Sequence, residues 1–176
     1  MVKTIKINFD TIEMMLYYWQ SIAERDKVVE SFMIEVANKK EMDYLYNDDF
    51  NKDSVRKVLS AISNREVLNN STKVERKFWN NNMWMLEDLD NMNNMVMPVK
   101  KLNLDDIKAK LSGETKFEEL EVIFIPGHNE ECYIDGNKLV INFFKIMVDF
   151  MDPSIVKIDG KVLKEYIEEK LFEIVK

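Results

Sequence analysis

The chain has 176 residues, 46% of them apolar, with 25 basic and 32 acidic side chains and a formal net charge of -7. That length and apolar content support one domain, or a helical region joined to a small mixed one, and exclude a disordered chain. The acidic balance repels phosphate backbones, so nucleic acid is not an expected partner, and the single cysteine, Cys132, excludes an internal disulfide and a Cys-x-x-Cys zinc site.

Residues 1–10 lack the continuous apolar stretch and small-residue cleavage site of a secretory signal, so the cytoplasm is the expected location. Beyond them Ile12, Met15, Leu16, Trp19, Ile22 and Ala23 keep the spacing of one helical face, with Asp10 or Thr11 as N-cap. A second helix is expected to be capped by Asp26 and to carry Val29, Phe32, Met33 and Val36. A third, capped by Asp53, carries Val55, Val58, Leu59 and Ile62. The acidic, aromatic link 44–50 lies between them. From Ser71 onward Phe78, Met85, Leu89, Met92 and Val96 share one face, broadened by Trp79, Met83 and Leu86. This is the longest predicted helix, and Pro98 is expected to stop it. Asn103 or Asp105 starts a short helix through Leu111, closed by Ser112 and Gly113. No repeat of fixed period appears, so a solenoid is not expected.

Sheet signals begin only in the last third. Residues 120–125 and 139–143 read as strands, residues 131–134 can pair across the Asp135-Gly136 turn, and 155–158 is a weak extra strand. The apolar stretch 139–151 is interrupted by Asn142, Lys145 and Asp149 and is much shorter than the ~20 residues of a membrane span, so it reads as core and no membrane partner is expected. Residues 161–176 form a C-terminal helix with Leu163, Ile167, Leu171 and Ile174 inward and its glutamates on a solvated face. The predicted class is α+β, mainly α. A helical region, 1–113, packs as one unit with a small α/β region, 114–176, whose sheet is antiparallel or mixed and is followed by a C-terminal helix.

The inventory of reactive groups is thin. Metal-assisted hydrolysis on a helix needs two histidines four residues apart and a glutamate beside them, and this chain has one histidine. No Gly-x-Ser-x-Gly elbow occurs. Glu131 beside Cys132 does not favour a thiolate. No catalytic residue and no metal ligand are therefore assigned. His128, with Asn129, Glu130 and Glu131, lies on a polar loop just past a strand end, where a ligand contact and a solvated loop are both open readings. The twelve methionines fit core packing, and two other readings stand beside it: an adaptable partner groove or soft thioether ligands for Cu(I).

In order of features the chain resembles gluzincin-type zinc peptidases of bacteria over roughly residues 70–176. The resemblance rests on Phe78-Trp79 inside a long helix, a strand ending Phe124-Ile125-Pro126-Gly127-His128-Asn129, the Asp135-Gly136-Asn137 turn, and an apolar strand with a following helix. In that group the small sheet precedes a helix bearing His-Glu-x-x-His. No such motif occurs by Lys176, so no zinc ligand or general base is carried over. The resemblance implies zinc only if the encoded protein continues into that segment, and no cofactor in this chain. It also implies a substrate-side edge strand at 139–143, with Gly127, His128, Asn129, Leu139, Val140, Ile141 and Asn142 as peptide contacts and the helices as the other wall of a cleft. The expected function is the non-catalytic N-terminal portion, or a form lacking the metal site, of a zinc-dependent peptidase whose partner is a peptide or protein. Two alternatives follow from the residues alone: an acidic interaction module of inhibitor or immunity-like kind that masks a basic partner, and a small-molecule sensor using a pocket between helices and sheet.

Overall fold

The helices form where apolar residues recur at helical spacing, and their ends are set by local hydrogen bonds that compete for the same donors. In a computed structural model that describes residues 1–111, 113 and 115–176, β1 (Thr4–Asn8) leads into α1 (Asp10–Ala23). Ile12, Met15 and Trp19 of α1 are fully buried on one face. Its cap is Phe9, without a side-chain bond. Asp10 is already in the first turn, its N–H taken by Asn8 Oδ1 at 3.0 Å, which corrects the expected cap. Asp26 does not cap α2 (Glu30–Ala37), because its N–H closes the end of α1 on the Ser21 carbonyl at 2.8 Å. Val29, expected inside that helix, sits before it and is exposed.

After a 3-10 turn, Lys40–Leu45, α3 (Lys52–Asn64) starts on Asn51, not Asp53. Asn51 Oδ1 accepts from the Ser54 N–H while Ser54 Oγ accepts from the Asn51 N–H, a reciprocal box that Asp53, one residue inside, cannot make. Thr72 and Glu75 build the same box at α4 (Lys73–Glu87). Glu75 also meets Lys57 Nζ at 3.1 Å. Burial opposes its charge, but hydrogen bonds from Ser54, Thr72 and Lys57 prevail and hold the carboxyl below its ordinary range.

The predicted longest helix is two. At Asp88 the backbone leaves helical geometry (φ -140°, ψ 81°), and the Asp88 side chain accepts from the Asn91 N–H to start α5 (Leu89–Lys100). Pro98 does not stop α5, which runs two residues past it. So near the end of a helix proline forfeits one bond without breaking the chain's course. The short α6 (Asp105–Lys110) follows, with Asn103 Oδ1 receiving the Asp105 N–H. The expected Ser112-Gly113 closure falls partly outside the described residues.

Two helix ends share an uncommon device. Arg25 after α1 and Arg65 after α3 both have positive φ, 64° and 56°. The next residue in each case returns its N–H to a carbonyl five back, Asp26 to Ser21 at 2.8 Å and Glu66 to Ala61 at 2.9 Å. Glycine is the usual occupant of this position because a side chain strains it. Arg65→Gly is therefore expected to raise unfolding free energy by about 0.5 kcal/mol, the relieved strain exceeding glycine's extra unfolded-state entropy. Urea unfolding of the variant checks the sign.

The sheet is mixed, as the predicted class allows, and runs β1-β2-β4-β3 with β2 (Glu119–Ile125), β3 (Cys132–Asp135) and β4 (Lys138–Asn142). β1, β2 and β4 are parallel, and β3 is antiparallel to β4. The sheet draws on both predicted regions, because β1 lies within 1–113 and β2, β3 and β4 lie within 114–176. Gly136, at φ 57°, makes the tight turn from β3 to β4. A 3-10 turn, Phe143–Lys145, then leads to a second sheet of β5 (Met147–Val148), β6 (Val156–Ile158) and β7 (Lys161–Val162). Asp159 and Gly160, both at positive φ, connect β6 to β7. α7 (Leu163–Val175) buries Leu163, Ile167 and Leu171. Phe9 joins helix to sheet, edge-on to Phe124 at 5.9 Å and Phe143 at 6.2 Å. Met85, Met92 and Met95 lie in the same core, as filler. Among the described residues no helix is long and apolar enough to cross a membrane.

Candidate functional site

Of the residues expected to contact a peptide, all but Asn129 are buried scaffold. β4 is paired on both sides, to β2 and to β3, so residues 139–143 are not an edge strand. Sheet order depends on long-range pairing that an apolar run does not encode. Leu139, Val140, Ile141 and Asn142 are each 0% exposed. Gly127 and His128 are buried too, and only Asn129 of that set faces solvent.

Asn142 organises the loop 127–131. Its Oδ1 accepts from the N–H groups of Gly127 and Phe144, each at 3.1 Å, and its Nδ2 donates to the carbonyls of Glu130 at 3.0 Å and His128 at 3.4 Å. A side chain at 127 would collide with it, because an added Cβ would lie 2.6 Å from Asn142 Cγ. Asn81 Nδ2 clamps the same loop through the carbonyls of Gly127 and His128 at 3.2 and 3.3 Å. His128 Nδ1 accepts the Asn129 N–H at 2.9 Å, which leaves Nε2 to donate to the Leu45 carbonyl at 3.0 Å. Its ring meets Phe50 edge-on at 5.1 Å. Both ring nitrogens are thus spent on the fold, and neither the solvated loop nor the ligand contact describes this histidine.

The outer strand on this side is β3. The Asn142 N–H donates to the Glu131 carbonyl at 3.0 Å. Antiparallel alternation then makes Tyr133 with Val140 and Asp135 with Lys138 the bonded pairs, and turns the N–H and C=O of Cys132 and Ile134 away from β4. Ile134 is 48% exposed. Tyr166 marks one end of this border, its hydroxyl donating to Glu131 Oε1 at 2.7 Å. Burial, then hydrogen bonds with Cys132 and Glu131, push that phenol well above its ordinary pKa.

Beside β3, on the face carrying Tyr133 and Asp135, lies a groove of about 570 Å³. Its floor is Asn8, Glu121, Ile123 and Lys138, and its wall is the Lys40–Leu45 turn. Across the four strands the register places Lys6, Glu121, Lys138 and Asp135 in one row of alternating charge. Four carboxylates, Glu41, Asp43, Glu121 and Asp135, line the groove against the two ammonium groups of Lys40 and Lys138. For Glu41, burial opposes ionisation, but its own backbone N–H, the Asn8 amide and the Lys39 charge outweigh it and hold the carboxyl below its usual range. Tyr44 stacks on Tyr133 with ring centres 6.1 Å apart and donates to Asp135 Oδ2 at 2.8 Å. Burial, reinforced by Asp135, pushes the Tyr44 phenol up to about 12, so it stays a donor across the physiological range.

A second cavity, about 490 Å³, opens between α1, α3 and α4. Neither it nor the groove is lined by residues 127–131 or 139–143; the groove lies between the Lys40–Leu45 turn and the sheet, and the second cavity lies between helices and their ends. Among the described residues no three of His, Cys, Asp and Glu are placed to hold a metal ion. The groove residues missed from sequence were Tyr44, Glu121 and Asp135. Their signal, an acidic and aromatic link beside a strand with charges at alternate positions, was present but unpaired. No protein-family model, curated protein or solved structure matches this chain.

Proposed function

We propose that this chain is a non-catalytic, peptide-binding portion of a zinc-peptidase-like protein, and that an extended basic peptide adds as a strand to β3. The observation that carries the peptide part is the outward N–H and C=O of Cys132 and Ile134 on an outer strand bordering an acidic groove. An added strand would gain main-chain hydrogen bonds there, each worth about 1 kcal/mol net, while every second side chain would reach the groove face. Four carboxylates against two ammonium groups favour lysine or arginine at those positions. The peptidase part rests on the resemblance in order: Phe78-Trp79 inside a helix, a strand ending Phe-Ile-Pro-Gly-His-Asn, the Asp135-Gly136-Asn137 turn, and an apolar strand with a following helix.

Fluorescence anisotropy with a synthetic octapeptide alternating lysine and valine tests the peptide part. Binding is expected, weaker as salt rises. Proline at 134 removes only an N–H that points away from β4, so Ile134→Pro should keep the fold and abolish binding. Equal affinity of wild type and Ile134→Pro would rule out strand addition. The peptidase part is tested by the reading frame beyond codon 176 and the intact mass of the native protein. A continuation containing His-Glu-x-x-His supports it, and a stop codon removes it.

The same groove favours a second reading, an acidic interaction module that masks a basic protein. Asp135→Lys and Glu121→Lys would then abolish binding of a folded basic partner while Ile134→Pro left it intact.

A further inference from the structure

The helical cavity is a separate feature, with side chains of both signs in its lining. Its walls are apolar: Ile22 and Ala23 of α1, Ala61 and Ile62 of α3, and Trp79, Met83 and Leu86 of α4. Four charged side chains, Arg25, Arg65, Glu66 and Glu87, complete its lining. All four are exposed, and among the described residues none of them is in an ion pair. Both arginines occupy left-handed backbone positions that glycine would fill with less strain.

We infer that this cavity binds a free α-amino acid with a large apolar side chain. The apolar walls take the side chain, with Trp79 offering an aromatic face, and the volume falls in the range of small-ligand sites. The guanidinium groups of Arg25 and Arg65 are donors for the α-carboxylate, whose planar oxygens suit their geometry. The carboxylates of Glu66 and Glu87 receive the α-ammonium. A purely anionic ligand would meet two carboxylates, and a purely cationic one two guanidinium groups. A zwitterion satisfies both signs at once, and this charge complementarity selects it. The site shares no lining residue with the β3 groove, so the two stand or fall separately.

Titration calorimetry with L-phenylalanine, N-acetyl-L-phenylalanine and L-phenylalaninamide on the full chain tests this. Saturable one-to-one binding of L-phenylalanine is expected, and loss of either charge should weaken it at least tenfold. Arg65→Gly, a change the backbone welcomes, should weaken L-phenylalanine about tenfold and leave the amide, which has no carboxylate, unchanged. The three-compound comparison on wild type does not depend on any variant folding. Absence of saturation at the solubility limit of L-phenylalanine would overturn the inference, as would equal binding of all three compounds.

Discussion

Asn142→Ala is expected to lower unfolding free energy by about 3 kcal/mol, because it leaves the buried Gly127 N–H without its acceptor and removes three further bonds that hold the loop. The fully buried amide serves two N–H donors and two carbonyl acceptors of the loop 127–131 and its neighbour Phe144. Asn142→Asp keeps the acceptor oxygen but sets a second one against the carbonyls of His128 and Glu130. Its folded pKa should therefore be raised, so that its penalty is smaller in acid and grows as pH rises through the unfolded carboxylate range. Gly127→Ala should be nearly as damaging alone, through the 2.6 Å approach to Asn142. In the Asn142→Ala background it should cost little, since the obstructing side chain is gone. Urea unfolding of the two single variants and the double variant measures this coupling directly.

Trp19→Ala should cost about 4 kcal/mol, a large share of the stability a domain commonly has. Trp19 is fully buried, stacks on Phe143 with ring centres 5.9 Å apart, and donates from Nε1 to Asn82 Oδ1 at 2.9 Å. Its loss opens a cavity and also frees an acceptor, although Asn82 keeps its bond to the Phe78 carbonyl at 2.9 Å. Trp19→Phe should fall between, restoring packing but not the hydrogen bond. Thermal unfolding followed by circular dichroism orders the three proteins.

Much of the architecture can be read from local pattern. The inward faces of α1, α3 and α7 follow from apolar residues three and four apart, and β2 follows from a run too apolar to be exposed. What could not be read depends on distance along the chain. β1 is short and half polar, and its partner β2 lies more than a hundred residues away, so nothing near Thr4 announces the pairing. The same holds for β4, whose central place is decided by β2 and β3 together, and for His128, whose Nε2 partner is the Leu45 carbonyl. Asp88 is different. Its side chain caps α5 locally, and the Asp88-Leu89-Asp90-Asn91 spacing carries that signal even inside a longer apolar stripe. Asp159-Gly160 likewise spells a hairpin turn in local sequence.

Amide hydrogen exchange of the isotope-labelled chain, with and without the alternating lysine and valine octapeptide, tests the strand-addition account most directly. The outward N–H groups of Cys132 and Ile134 should exchange fast in the free protein, because they have no sheet partner, whereas Tyr133 and Asp135, bonded to β4, should already be slow. With peptide bound, Cys132 and Ile134 should slow and Tyr133 and Asp135 should change little. Peptide binding that leaves Cys132 and Ile134 unprotected, or protects a different border of the sheet, would contradict strand addition at β3.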